Sequence, residues 1–320
     1  MRYILTSTLP IILFVAAFVT VYWLYCRLWV TFLIRKYQKR PEEGLLKKPS
    51  SLVLHVIAGI GVLCVLYGCF VEPYWPQVNV IPIQTEKLKS ATFRIIQISD
   101  THCDNKIRLE RRLPGIINNL KPDIIVFTGD SINRESALPL FRDTMSKLNA
   151  PLGKFAVTGN WDNYIVPVPD LFKGTGFREL DGDFQKIKKD GETIRICGRS
   201  YGHESNLPKP VSQADNSTFT VFLYHSPNLA ESLDDSEIDL YLCGHTHSGQ
   251  IALPFYGALT TLSKHGKKYE AGLYHRGTCI VYVNRGIGLD GGKAPKARFF
   301  ARPEITVFDI GPELKRETKE

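Results

Sequence analysis

The sequence predicts an α/β domain of packed mixed sheets flanked by helices, carried behind two apolar helices of membrane-spanning length. Three observations lead there. Two charge-free stretches open the chain, each of about 20 residues, the length a helix needs to cross a hydrocarbon core of roughly 30 Å. The rest is a series of short β-branched and apolar runs, most closing on a polar or glycine-containing turn. Helix-forming stretches alternate with those runs early and then give way mostly to strands, the pattern of mixed sheets with helices on their faces.

In chain order, residues 3–26 carry no formally charged side chain and contain LPIILFVAAFVTVYWLY, and 51–71 read SLVLHVIAGIGVLCVLYGCFV. The predicted helices cover 4–34 and 51–71, within an anchor of 1–80. The first is too long for a cleaved leader and ends in Cys26-Arg27-Leu28-Trp29 with no small-residue cleavage site. Between the two, Arg35, Lys36, Lys39, Arg40, Lys47 and Lys48 face only Glu42 and Glu43, which accounts for part of the net charge of +8. A short basic loop favours anionic headgroups and the cytoplasmic side. A two-helix hairpin would then carry the large domain across the membrane, unless the first stretch re-enters or lies in the interface, which Pro10 and Arg27 leave open.

EPYWPQVNVIPIQ follows as a proline-broken connector whose aromatic residues suit a membrane interface. In the remaining domain, 81–320, strands are predicted at 92–99, 123–128, 154–158, 193–197, 218–224, 238–243, 278–283 and 305–310. Helices are predicted at 106–120, 137–148, 169–174 and 228–233, with Pro114 breaking the first. Cys103, Cys197, Cys243 and Cys279 show no disulfide spacing. No aromatic–basic motif for nucleic acid stands out, and nothing points to a protein partner. His203, His265 and the lysines of 264–268 read as loop residues.

Five of these strands run into residues of metal-binding type. They lead in turn to Asp100-Thr101-His102, Gly129-Asp130, Gly159-Asn160, His225 and Gly244-His245-Thr246-His247. One Asp after a strand is commonly a turn residue or helix cap; the ordered conjunction of all five is not accounted for that way. The side chains are imidazole, carboxylate and amide with no thiolate needed, a set that suits Mn, Fe or Zn at high coordination number.

In this order the motifs resemble those of the calcineurin-like metallophosphoesterases, D-x-H, G-D, G-N-H, H and G-H-x-H, over about residues 92–310. The resemblance implies a four-layer α-β-β-α sandwich and a hydrolase of phosphate ester or anhydride bonds using two divalent ions, manganese being expected. It implies that Asp100, His102, Asp130 and His247 hold one ion. Asp130, Asn160, His225 and His245 would hold the other, with Asp130 bridging, and Asp130, Asn160 and His245 would serve catalysis. A shared carboxylate would hold two cations about 3.5–4 Å apart and let water between them be acidified toward hydroxide. Arg134, four residues beyond Asp130, is placed for a charge-assisted contact to a substrate phosphate.

One position departs from the pattern: Gly-Asn-His is here Gly159-Asn160-Trp161-Asp162. The missing histidine would protonate a leaving oxygen. That matters for an alkoxide and much less for a leaving phosphate, whose second pKa is about 6. Trp161 therefore tilts the expectation toward an anhydride, and offers an apolar surface to a nucleobase or acyl chain. With the apolar helices, the chain resembles the membrane-associated branch that includes LpxG-type UDP-2,3-diacylglucosamine pyrophosphatases, which yield UMP and 2,3-diacylglucosamine 1-phosphate for lipid A biosynthesis. Val71-Glu72-Pro73, Asn284-Arg285-Gly286-Ile287-Gly288 and the run from Arg298 to Ile305 share that branch's look.

A lipid-linked nucleotide substrate would put the domain among lipids on the cytoplasmic face of the inner membrane, against the sense of the basic loop. An extracytoplasmic phosphatase or phosphodiesterase acting on phospholipid or wall polymer fits the loop better. A non-catalytic scaffold would have lost ligands, and all seven positions are filled.

Overall fold

Helix α1 (Arg2–Tyr37) is continuous through Pro10, and α2 (Pro49–Phe70) begins with its proline in the first turn, where a missing N–H costs nothing. The computed structural model describes residues 2–39, 45–46, 48–203, 217–233, 237–290, 292 and 296–313, with side chains from Leu9 onward. Arg40, Glu42, Glu43 and Lys47 of the basic loop lie outside those residues. The chain divides into two units, Met1–Val71 and Glu72–Glu320.

In the first unit α1 and α2 run antiparallel. Tyr22 Oη donates to the Ala58 carbonyl at 3.0 Å, and the His55 ring meets Tyr25 and Trp29 at 5.3 and 6.0 Å. Ile12, Leu13, Phe14 and Val15 are consecutive and all exposed, so α1 is apolar on every face. That suits lipid on all sides rather than an interfacial helix with one wet face. Both helices are long and apolar enough to cross a membrane, and no re-entrant break occurs in α1.

The second unit packs two six-stranded mixed sheets face to face. In the first, β1 (Gln77–Thr85) lies parallel to β14 (Glu304–Pro312), which is antiparallel to β2 (Phe93–Ile98). Then β3 (Ile124–Thr128), β4 (Lys154–Val157) and β5 (Phe177–Glu179) follow in parallel. The second sheet has the order β12 (Gly272–Arg276), β13 (Cys279–Val283), β9 (Leu240–Cys243), β8 (Phe219–Tyr224), β7 (Glu192–Arg199) and β6 (Asp183–Lys189). A small hairpin of β10 (Ala252–Leu253) and β11 (Gly257–Ala258) stands apart.

Alternation explains the layers. Ile95, Ile124, Val126 and Val157 of the first sheet meet Ile194, Ile196, Val221 and Leu242 of the second in one dry core. On the outer face of the first sheet, Ile96, Ile98 and Phe127 are covered by α3 (Leu113–Asn119) and α4 (Leu138–Ser146) through Leu113, Ile117, Phe141 and Met145. The opposite outer face, Phe222 and Tyr241, is covered by Leu229, Leu233 and Tyr269. These lie on or beside short 3₁₀ turns, so among the described residues the fourth layer contains no α-helix.

Several boundaries differ from the sequence reading. Helix 106–120 shrinks to α3 because Pro114 is tolerated only in a first turn. Residues 169–174 form turns: between Pro167, Pro169 and the positive-φ Gly174 and Gly176 there is too little chain to nucleate a helix. At 228–233 there is only the 3₁₀ turn Pro227–Leu229, capped by Ser226. The connector assigned to the anchor belongs to the second unit and supplies β1.

Glu304, 1 % exposed, ties the sheets together from β14. It accepts from Asn79 Nδ2 of β1 and from the Tyr282 hydroxyl of β13, and pairs with Arg285 Nε at 2.9 Å. Burial works against its charge, but Arg285 and the Tyr282 hydroxyl hold its carboxyl below the usual range. A depressed carboxyl contributes stability that is complete above the unfolded pKa and lost as pH falls through the folded one. Thermal melts should therefore show wild-type stability declining below about pH 4.5, with that component absent in Glu304→Gln.

Candidate metal centre

The candidate residues converge at the carboxyl ends of β2, β3, β4, β8 and β9, where a rigid sheet hands its backbone to loops. Asp100, His102, Asp130, His245 and His247 all have positive φ, between 38° and 73°. L-residues adopt this region at a cost of order 1–3 kcal/mol each, so the surrounding fold must enforce it. Two glycines make the crowding possible. A Cβ at Gly159 would strike Asp130 Oδ1, and one at Gly244 would strike Asp100 Oδ2 and Ser99 Oγ. Gly244→Ala should thus displace the Asp100 carboxylate and weaken metal binding by about tenfold or more, measurable by metal titration of the purified protein.

Two groups of side chains could each hold an ion: Asp100, His102 and His247, and Asp130, His225 and His245. Asp130 Oδ2 lies 3.2 Å from His225 Nε2 and 3.5 Å from His102 Nε2, between the groups. Asn160 Oδ1 is 3.0 Å from His225 Nε2. In the first group His247 Nε2 stands 3.3 Å from Asp100 Oδ1 and 3.2 Å from His102 Nε2. All seven residues singled out in the sequence are thus in one place.

Proton placement tests whether the site fits cations. His225 Nδ1 donates to the Thr128 carbonyl at 2.8 Å, leaving a lone pair on Nε2. Asn133 Nδ2 donates to the carbonyls of His102 and Leu289, so its Oδ1 must accept from His102 Nδ1 at 2.8 Å. His102 Nε2 therefore also carries a lone pair. Both lone pairs face the carboxylate of Asp130, and the ring nitrogens of His245 and His247 lie 3.1 and 3.2 Å away. Acceptors directed at acceptors in a buried site need a cation between them. Without an ion, a proton is drawn to the same place: burial opposes charge on His225, yet Asp130 lifts it to about 9, so a bound cation would displace that proton from Nε2. Burial pushes His102 and His245 down to about 4. Burial also penalises Asp100 and Asp130, but the facing histidines, His247 and His225 first, hold both carboxyls low.

Several supporting residues escaped the sequence reading. Asp162 accepts from the backbone N–H groups of Asp130, Ser131 and Gly159 at 2.8–2.9 Å, locking two ligand loops together. Burial and the nearby Asp130 carboxylate raise it to about 6. Asn133, three residues beyond Asp130, was findable by its position in the same loop. Arg298 was not, being 51 residues from its partner: its Nη2 lies 3.4 Å from His247 Nδ1. This fully buried guanidinium also donates to the carbonyls of Arg285, Gly288 and Ala301. Glu72, 1 % exposed, secures the same loop by accepting from Phe300 N and Ala301 N.

Trp161 starts a wide turn, Trp161–Ile165, closed by Val166 N to Trp161 O at 2.8 Å. Its N–H donates to Asp130 Oδ1 at 2.8 Å, and its ring stands edge-on to His102 at 5.3 Å. Arg134 forms an ion pair with Asp104 at 2.9 Å and is half exposed. Lys296 approaches Asp104 at 3.8 Å, and Arg108 Nη2 donates to the His102 carbonyl at 3.1 Å. Three cations thus gather beside the first group around Asp104, with Asp290 alongside. Cys103 and Cys243 are buried, with thiols pushed up by burial, and are not in either group.

A family model described as calcineurin-like phosphoesterase matches residues 93–249. A metallophosphoesterase of Bacillus subtilis, YkuE, is 36 % identical over 76 % of this chain and 88 % of its own. The Escherichia coli phosphodiesterase YaeI is 28 % identical over 76 % of this chain and 92 % of its own. A transmembrane protein with metallophosphoesterase domain from Danio rerio is 27 % identical over 77 % of this chain and 60 % of its own.

Proposed function

The chain belongs to the calcineurin-like phosphoesterase family, and on that premise we propose that it hydrolyses the anhydride bond of a lipid-linked nucleotide, UDP-2,3-diacylglucosamine, to UMP and 2,3-diacylglucosamine 1-phosphate. The observation that carries this reading is the cluster of Arg108, Arg134 and Lys296, gathered around Asp104 beside a site with Trp161 where a proton donor would stand. A monoester has no use for a second anion site; a diphosphate does.

In the proposed arrangement Asp100, His102, Asp130 and His247 would hold one divalent ion, and Asp130, Asn160, His225 and His245 would hold the other. Manganese suits this donor set of imidazole, carboxylate and amide. Such a pair supplies Lewis acidity, neutralising phosphate oxygens and acidifying water. The chain's own residues do the rest. Asp130 fixes the spacing of the two groups, and Asp162 fixes Asp130 through its backbone. Arg134 and Lys296 exchange part of their contact with Asp104 for the leaving phosphate, which departs without needing a proton. The domain works at the cytoplasmic face of the inner membrane, anchored by α1 and α2.

A second reading is favoured by α1, an unbroken helix apolar on all faces. With the basic loop inside, it would put the domain outside, acting as a phosphodiesterase on phospholipid. One assay separates the two: detergent-solubilised protein with Mn²⁺, given UDP-2,3-diacylglucosamine and bis-p-nitrophenyl phosphate. UMP release with slow diester cleavage is the expected result; brisk diester cleavage without UMP overturns the anhydride reading.

A further inference from the structure

We propose that the cleft beside the second ligand group is a nucleoside subsite, holding the base and ribose of the substrate while its phosphate sits at the two ligand groups. This rests on the anhydride reading and gives the substrate a direction. The cleft measures about 510 Å³, enough for a nucleoside, and is lined by Thr158, Tyr164, Glu179, Asp181, Tyr201 and His203 among others. It adjoins the candidate metal centre through Tyr201, whose ring stacks on His245 at 6.1 Å and meets His225 edge-on at 5.8 Å. The walls are tied to the ligand loop: Tyr201 N donates to the Thr158 carbonyl at 3.1 Å, and Asn163 Nδ2 donates to Tyr201 O at 2.7 Å.

The lining has the chemistry of a neutral, hydroxyl-bearing ring system. Tyr164, 62 % exposed, and Tyr201 stand 6.1 Å apart and offer aromatic faces to a base. Glu179 and Asp181 offer carboxylate oxygens to vicinal ribose hydroxyls. Thr158 is 6 % exposed, and its Oγ1 is buried with no partner among the described residues, a hydroxyl that a ligand would satisfy.

The cleft does not suit a phosphate, since His203 is the one basic residue among its described lining residues and is held by Asp181 at 2.9 Å. Nor is it strongly anionic. Asp181 is also paired with Arg199 at 3.2 Å. Glu179 accepts from Ser200 Oγ at 3.2 Å, and burial raises its carboxyl. A cationic headgroup, which would seek aromatic faces with free negative charge, finds most of that charge already matched. The second phosphate and the lipid therefore extend the other way, toward Arg108, Arg134 and Lys296.

Calorimetry on the full-length, manganese-loaded protein in detergent tests this with UMP, inorganic phosphate and phosphocholine. UMP should bind about tenfold or more tighter than phosphate. Tyr164→Ala should erase most of that difference while leaving phosphate affinity unchanged, and Glu179→Gln should weaken UMP alone. UMP no tighter than phosphate, or phosphocholine tighter than UMP, overturns the assignment. A UMP preference without turnover of the UDP-lipid would uphold the cleft and sink the anhydride reading. Turnover without a UMP preference would do the reverse.

Discussion

Asp130→Asn is expected to lower kcat by roughly 10³-fold or more, a barrier increase of about 4 kcal/mol. Its Oδ2 is the atom that faces both ligand groups, 3.2 Å from His225 Nε2 and 3.5 Å from His102 Nε2. The amide keeps the shape and can still accept the Trp161 N–H on Oδ1. What it removes is the negative charge that lets two cations approach each other. Elemental analysis beside the rate measurement identifies the cause: the variant should bind one ion firmly and the other poorly, with a melting profile close to wild type once ions are removed from both. A variant that kept two ions and more than about a tenth of the rate would contradict a bridging role.

Trp161→His should act in the other direction and only on some substrates. The backbone of that turn is fixed independently of the side chain, by Trp161 N to Asp130 Oδ1 and by Val166 N to Trp161 O, each at 2.8 Å. An imidazole can therefore replace the indole beside His102 without rebuilding the loop. General-acid assistance contributes about 10²–10⁴-fold where the leaving oxygen is basic. Hydrolysis of an alkyl phosphodiester should rise by about 10²-fold, while cleavage of the UDP-lipid should change little. The ratio of the two rates is the quantity to measure. A uniform rise would mean that the indole merely obstructs the site, and no rise would mean that the leaving group exits elsewhere.

The strands that could be read from the sequence and those that could not differ in one physical respect. The eight predicted strands are the interior strands of the two sheets. In those two sheets the four that went unread, β1, β5, β6 and β12, are the four edges, and the small β10–β11 hairpin went unread as well. An edge strand need not be apolar: β6 reads DFQKIKK and buries only Ile187. Nor must every N–H of an edge strand bond, so β1 tolerates Pro82 in mid-strand. The ligands were legible for a related reason, since each follows an interior strand whose apolar run announces it. Their supports were not. Asp162 serves three backbone N–H groups through a carboxylate that no periodicity marks, and Arg298 reaches His247 from a loop far along the chain.

Glu72 directly follows the two apolar helices in sequence, yet its carboxylate grips the loop that Arg298 presses toward His247. The hydrolytic unit therefore begins five residues before its first strand. A soluble version that starts at Gln77 would keep every strand and every candidate ligand and still discard this latch, whereas one that starts ahead of Glu72 would retain it. Where the two apolar helices are cut away thus bears on how firmly His247 is held, although Glu72 touches no candidate ligand itself.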